Sequence, residues 1–253
     1  MIGLAIFVTM MTAPDPPTLR VLTYNIHHGQ GEDGVFDLER IARVIKSVKP
    51  DLVALQEVDK GTERSSGVDQ AAVLGELTGM HVVFGEAMPY DGGSYGEAVL
   101  SRWPIVSFEA HALPYQERQE PRSALAARVK PDSGLAELLI VGTHLCHQSD
   151  QTRLWQCGML NTLFVNSTLP VVLAGDLNAR PGSRPMKELL SGGWIDADAV
   201  GDQPTSPSDS PRRRIDYVLY RSADPWKVVS VDVLDEPVAS DHAPVLVVLE
   251  WQG

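Results

Sequence analysis

Apolar residues recur along this chain in two rhythms, and the change from one to the other marks out its elements. Arg20 to Ile26 is a short run rich in strand-forming residues. After it, Leu38, Ile41, Val44, Ile45 and Val48 fall three or four positions apart, which is the stripe of one helix face, with Asp37 placed as its N-cap. Pro50 stops that helix, and Asp51 to Glu57 reads as a buried strand that finishes in polar residues. A strand, helix and strand in this order predict a parallel pair. Further strands are predicted at His81 to Phe84, Glu97 to Ser101, Ser123 to Val129, Glu137 to Thr143, Val171 to Ala174, Arg214 to Tyr220 and Val245 to Glu250. Helices are predicted at Asp69 to Thr78, Gln151 to Asn166 and Pro185 to Ser191. Many strands with few helices point to two packed sheets carrying helices outside, not to a single doubly wound sheet.

The alternation runs from Leu19 to the end without a repeat or a second linker, so residues 20–253 are expected to form one domain. Residues 1–19 are a different kind of segment. Met1 to Thr12 is apolar without Lys or Arg, like the hydrophobic part of a signal peptide lacking its charged start, and is too short for an ordinary membrane span. Pro14, Pro16 and Pro17 then act as a linker. Both a cytoplasmic and an exported location fit this segment. Two cysteines, Cys146 and Cys157, are too few for a disulfide framework and wrongly spaced for zinc.

The chemistry lies where the strands end. Tyr24-Asn25 ends the first strand, Gln56-Glu57 the second and Thr143-His144 a middle one. Gly175-Asp176-Leu177-Asn178 follows another, Asp216 interrupts Arg214 to Tyr220, and Ser240-Asp241-His242 precedes the last. Taken singly, each has an ordinary explanation: Asp and Asn after a strand are turn residues, and a lone His is a hydrogen-bonded structural group. Asp216 resists that account, because a carboxylate inside an apolar run is costly to desolvate unless it is paired. Together they supply what metal-assisted phosphoester hydrolysis needs. Glu57, Asn25 and Asp241 offer hard oxygen ligands suited to Mg²⁺ or Mn²⁺, and His144 and His242 offer proton transfer near neutral pH.

At these residues the sequence resembles the endonuclease/exonuclease/phosphatase superfamily, in the order Leu22-Thr-Tyr-Asn-Ile, Leu55-Gln-Glu-Val, Thr143-His-Leu, Gly175-Asp-Leu-Asn, Arg214-Ile-Asp-Tyr-Val and Ser240-Asp-His. It looks like a small bacterial member of the kind related to pancreatic deoxyribonuclease and neutral sphingomyelinases. The resemblance implies a four-layer α-β-β-α sandwich, two mixed sheets packed face to face, with the active site at one edge. It implies Glu57 as the main metal ligand beside Asn25 and Asp241, His242 as the base that activates water, and Asp216 as the carboxylate that orients it. Asp241 also helps to orient His242. Asp176 and Asn178 resemble the pair that positions water and phosphate, and His144 resembles the group that stabilises the phosphorane or serves as general acid. Glu97 stands where small bacterial members often carry Asn, either pairing with His144 or contacting substrate. Arg64 and Arg122, in loops near the mouth, are candidates for gripping a phosphate in a bidentate contact.

Charge narrows the substrate. Lys and Arg total 21 against 33 Asp and Glu, a net charge of -12, which disfavours the many phosphate contacts of tight binding to long nucleic acid. The expectation is a monomeric, divalent-metal-dependent hydrolase of phosphate esters, a phosphodiesterase acting on a small or headgroup phosphodiester. The alternatives are an endonuclease or exonuclease acting on DNA, and an inactive member kept as a binding module.

Overall fold

Val21 and Leu22 are neighbours in sequence and both fully buried, yet they enter different cores, and from that local fact the layering follows. A strand buried on both faces must lie between two apolar layers. The computed structural model describes residues 16–132, 134–201 and 203–253. The apolar run predicted at the N-terminus lies outside them as far as residue 15.

In chain order the elements are β1 (Thr18–Asn25), α1 (Leu38–Ser47), β2 (Leu52–Lys60), α2 (Gln70–Thr78), β3 (His81–Tyr90), β4 (Gly93–Ser101), β5 (Ile105–Leu113), β6 (Arg122–Val129) and β7 (Leu138–His144). There follow α3 (Asp150–Phe164), β8 (Val171–Asp176), α4 (Arg184–Ser191), β9 (Trp194–Asp196), β10 (Asp216–Arg221), β11 (Trp226–Val233) and β12 (Val245–Trp251). They build two six-stranded sheets, ordered β11-β12-β1-β2-β4-β3 and β5-β6-β7-β8-β10-β9. Each is mixed: β1 and β2 run parallel, as do β7 and β8, among otherwise antiparallel neighbours.

Val21, Leu52, Ala54 and Val99 of one sheet meet Leu125, Ile140, Val172 and Val218 of the other in the central core. On the outer face of the first sheet, Leu22, Val53 and Leu55 pack against Ile41 and Ile45 of α1 and Leu74 of α2. On the outer face of the second, Val141, Leu173 and Leu219 pack against Leu160 of α3 and Leu189 of α4. This is the four-layer sandwich. Each fully buried aliphatic side chain contributes about 1.5–3 kcal/mol of transfer free energy to it. Asp37 caps α1 as expected, accepting the Arg40 N–H at 2.8 Å.

Three strands escaped the sequence reading. β5 and β9 are edge strands, β11 edges the other sheet, and edge strands bury too little to show a core pattern. The hairpin of β3 and β4 was also read too short, although Asp91 and Gly92, both at positive φ, carry its turn. Arg214 to Tyr220 was read too long: the strand begins at Asp216, which is paired in register with Asp176.

The topology gathers the chemistry at one edge. Parallel strands end at the same side, so Asn25 lies beside Gln56, and His144 beside Asp176. β10 runs antiparallel to β8 and therefore starts where β8 stops. β12, antiparallel to β1, starts just after His242. Among the described residues no helix is long and apolar enough to cross a membrane.

Candidate active site

Glu57 reaches the cleft through a break in its own strand. The pairing of β2 with β4 slips between Leu55 and Val58, and Glu57 takes a φ of 59°, which is uncommon for a residue with a Cβ. A bulge of this kind turns a side chain out of the regular alternation. Asn25 donates from Nδ2 to Glu57 at 3.0 Å and to Asp176 at 3.3 Å, while its Oδ1 accepts the His27 N–H at 3.0 Å. Burial opposes the charge on Glu57, but His144, the Asn25 amide and the rings of His27 and His242 outweigh it and hold its pKa below the ordinary value. Asp241 faces the same cavity. An ionised Glu and a second carboxylate bordering the same cavity are hard-oxygen donors of the kind that fits Mg²⁺ or Mn²⁺. Asn25 presents its nitrogen to the carboxylates in this arrangement, so a ligand role for it requires the amide to turn.

Next to this pair stands an acid–base cluster. His242 Nδ1 lies 2.9 Å from Asp216 Oδ2 and 3.1 Å from Oδ1, and its Nε2 is 3.7 Å from Asp176 Oδ2. Thr205 donates its hydroxyl to Asp216. Burial disfavours the charged imidazole, yet the Asp216 and Asp176 carboxylates overcome it and raise His242 from 6.5 to about 10. Asp176 is fully enclosed, and the rings of His144 and His242 hold its pKa well below the usual carboxylate range despite burial. Its other oxygen accepts the Asn178 N–H at 2.8 Å. Asp176, Asp216 and His242 also bring ligand-type atoms within 4.8 Å of one another. Their atoms are already engaged with each other and with Thr205, so the cluster is better suited to moving protons than to holding a cation.

Ser240 fixes the segment that carries Asp241 and His242. Its hydroxyl donates to the Asn25 carbonyl at 2.7 Å, tying the approach to β12 onto the end of β1. Asn178 lies next to His144 Nε2 at 3.0 Å and has a φ of 48°. Two functional side chains at positive φ is a pattern found where backbone strain is kept for positioning.

Glu57, His144, Asp176, Asn178, Asp241 and His242 border one cavity of about 300 Å³, together with Arg64 and Arg122. Arg64 is bound to Asp59 through Nε and Nη2, both at 2.7 Å, and stacks over Tyr90, which leaves one edge of the guanidinium unspent. Arg122 is not a loop arginine at all. It begins β6, is 2% exposed and bonds to Tyr95, Glu120 and His144. Glu97 also departs from expectation: it is fully buried, does not border the cavity, and accepts from Ser123 instead of pairing with His144.

His27, Tyr90, Tyr95, Glu120 and His147 border the cavity without having been marked in the sequence. An isolated tyrosine or histidine carries no spacing signal. Thr205 was equally invisible, since it meets Asp216 from a loop.

Residues 22–242 match the model of the endonuclease/exonuclease/phosphatase family. The chain is 27% identical over 242 residues to the uncharacterized protein YbhP of Escherichia coli strain K12, covering 90% of this chain and 94% of that protein. Among solved structures, the endonuclease/exonuclease/phosphatase from Beutenbergia cavernae superposes with a TM-score of 0.76 at 30% identity, covering 93% of this chain and 72% of that one. The mannosyl-6-phosphatase of Bacteroides thetaiotaomicron shares the fold, with a TM-score of 0.76 at 19% identity over 92% of this chain and 100% of that one.

Proposed function

From the premise that the chain belongs to the endonuclease/exonuclease/phosphatase family and is a metal-dependent phosphoric ester hydrolase, we propose that it hydrolyses a small or headgroup phosphodiester with water activated by His242. The observation that carries this reading is the Asp216–His242 pair. A carboxylate on Nδ1 fixes the ring so that Nε2 looks towards Asp176 and the cavity. That leaves Nε2 free to take a proton from water, while Asp216 stabilises the imidazolium that forms.

Glu57 and Asp241 would hold the cation, with Asn25 joining them if its amide turns. Mg²⁺ or Mn²⁺ bound there would polarise the phosphoryl oxygen and, by its charge, draw His242 down from its raised value. Asp176 collects the hydrogen bonds that keep Asn25, Asn178 and His144 in place. Asn178 and His144 then face the phosphoryl group as donors. Arg64, anchored on Asp59, offers its open edge to a second phosphate oxygen or to the leaving group.

A compact substrate is supported by the cavity volume, which is at the small end of ligand sites, and by the net charge of -12. The Bacteroides thetaiotaomicron neighbour named as a mannosyl-6-phosphatase agrees with a small phosphorylated substrate. The test is turnover of bis-p-nitrophenyl phosphate, sphingomyelin, inositol phosphates and plasmid DNA with Mg²⁺ or Mn²⁺, by the wild type and by His242→Ala. Loss of about 100-fold or more in the variant is expected, the usual contribution of a positioned base. Turnover that survives the substitution at saturating metal and substrate would remove His242 from the role.

A further inference from the structure

Arg122 is held more tightly than a residue that grips substrate needs to be. Its Nη1 donates to Tyr95 Oη at 3.2 Å and meets His144 Nδ1 at 3.2 Å. Its Nη2 donates to Glu120 at 2.6 Å and meets His147 Nδ1 at 3.4 Å. A guanidinium has five N–H donors, no acceptor, and does not lose its proton in a protein. The protons on both terminal nitrogens are therefore directed at protein groups, and the remaining N–H, on Nε, is buried without a partner. No forked pair is left to embrace a phosphate.

The same count fixes the ring beside it. Because Arg122 only donates, Nδ1 of His144 must accept, so a neutral ring carries its proton on Nε2. Nε2 lies 3.3 Å from Asp176, a carboxylate that accepts only, which demands the same assignment. The Asn178 Nδ2 stands 3.0 Å from Nε2 but already has an acceptor, the Leu145 carbonyl at 3.1 Å, so the Nε2 proton is directed at Asp176. With Glu97 bonded to Ser123, no carboxylate reaches Nδ1 of His144 among its hydrogen bonds in the described residues.

We propose that Arg122 is a positioning residue that locks His144 as the neutral Nε2–H tautomer, so that its one ring proton, directed at Asp176 in the free site, is a donor fixed in place for a phosphoryl oxygen to share; this rests on the phosphoester-hydrolase reading of the cavity. In this arrangement His144 serves the phosphoryl group as a hydrogen-bond donor. Tyr95 and Glu120 hold the guanidinium, and Arg122 holds the ring.

The test begins with nitrogen NMR of the metal-free wild type labelled in its histidines, with His144 assigned by its loss in His144→Gln. A protonated Nε2 and a bare Nδ1 at neutral pH are expected. Arg122→Met should release the ring to a mixture of tautomers and lower kcat by roughly 10- to 100-fold with KM nearly unchanged, as for other lost orienting partners. Arg122→Lys should recover part of that loss, because an ammonium still donates to Nδ1. A wild-type ring protonated on Nδ1, or on both nitrogens, overturns the proposal. So does an Arg122→Met enzyme with intact kcat and raised KM, which would make Arg122 a phosphate grip. If Arg122→Met does not fold, the wild-type spectrum decides alone. If no phosphoester is turned over, the hydrolase reading fails while the tautomer still stands or falls on that spectrum.

Discussion

Asp216 and Glu97 are both buried carboxylates, and their partners give them opposite consequences. Asp216 faces an imidazole, and its charge is what allows His242 to become an imidazolium. Asp216→Asn keeps the shape but offers the ring a neutral amide, so kcat should fall by on the order of 100-fold or more with thermal stability retained. A variant that unfolds would show Asp216 to be a structural group first. Glu97 has only a hydroxyl to bond, and burial pushes it from 4.5 up to about 8. A group whose folded pKa is raised gives its full stabilisation below the unfolded value and loses it as pH climbs through the folded one. Wild-type stability should therefore decline between about pH 4.5 and pH 8 through this residue. Glu97→Gln removes that decline, so the variant should gain on the wild type by a few kcal/mol, roughly, between pH 4.5 and pH 8. Denaturant titrations at the two pH values check it, and parallel pH profiles of both proteins would contradict it.

At the scale of the element, the decisive feature is the bulge in β2. A regular strand carrying Leu55 into the outer core would alternate Gln56 inward and Glu57 outward, and the break in register with a positive φ re-aims Glu57 to the cavity. Glu57→Gln keeps the bulge and the Asn25 contact but removes the charge that attracts a hard dication. We expect clearly weaker Mg²⁺ or Mn²⁺ binding by calorimetry, with the melting curve of the metal-free protein little changed. Wild-type metal affinity in that variant would place the cation elsewhere, with the Asp176, Asp216 and His242 cluster as the next candidate.

For the whole molecule, the question is how a protein of net charge -12 handles an anionic substrate. Long-range repulsion is set by that net charge, whereas binding at the site is set by local groups, here Arg64 and a bound cation. A substrate that makes a few contacts within one cavity should lose little turnover as salt rises. One that spreads over many phosphates loses affinity steeply, by orders of magnitude between about 50 and 200 mM for several contacts. Turnover of small diesters is thus expected to vary weakly with salt. Efficient plasmid cleavage with a steep salt dependence, alongside poor turnover of small diesters, would move the assignment to a nuclease.

Local patterns in the chain specify the buried strands, the helices with a cap or an apolar stripe, and the residues at strand ends. Those features are local: burial on both faces makes the body of β8 a continuous apolar run, and polar residues end β1, β7 and β8 abruptly, at Asn25, His144 and Asp176. Composition and order also carried the family resemblance. Which partners these side chains take depends on how the two sheets and their loops pack. β5, β9 and β11 left little trace because an edge strand exposes much of its surface. Glu97 is expected to pair with His144 or contact substrate, and Arg122 to grip a phosphate from a loop, whereas each is buried against other partners, since sequence separation says nothing about which buried donor meets which acceptor. Thr205 is 11 residues from Asp216 and reaches it only because a loop folds back over β10. Hydrogen bonds depend on angstrom-scale geometry across elements, and that geometry is fixed by the packing of two sheets whose contacts are mostly distant in the chain.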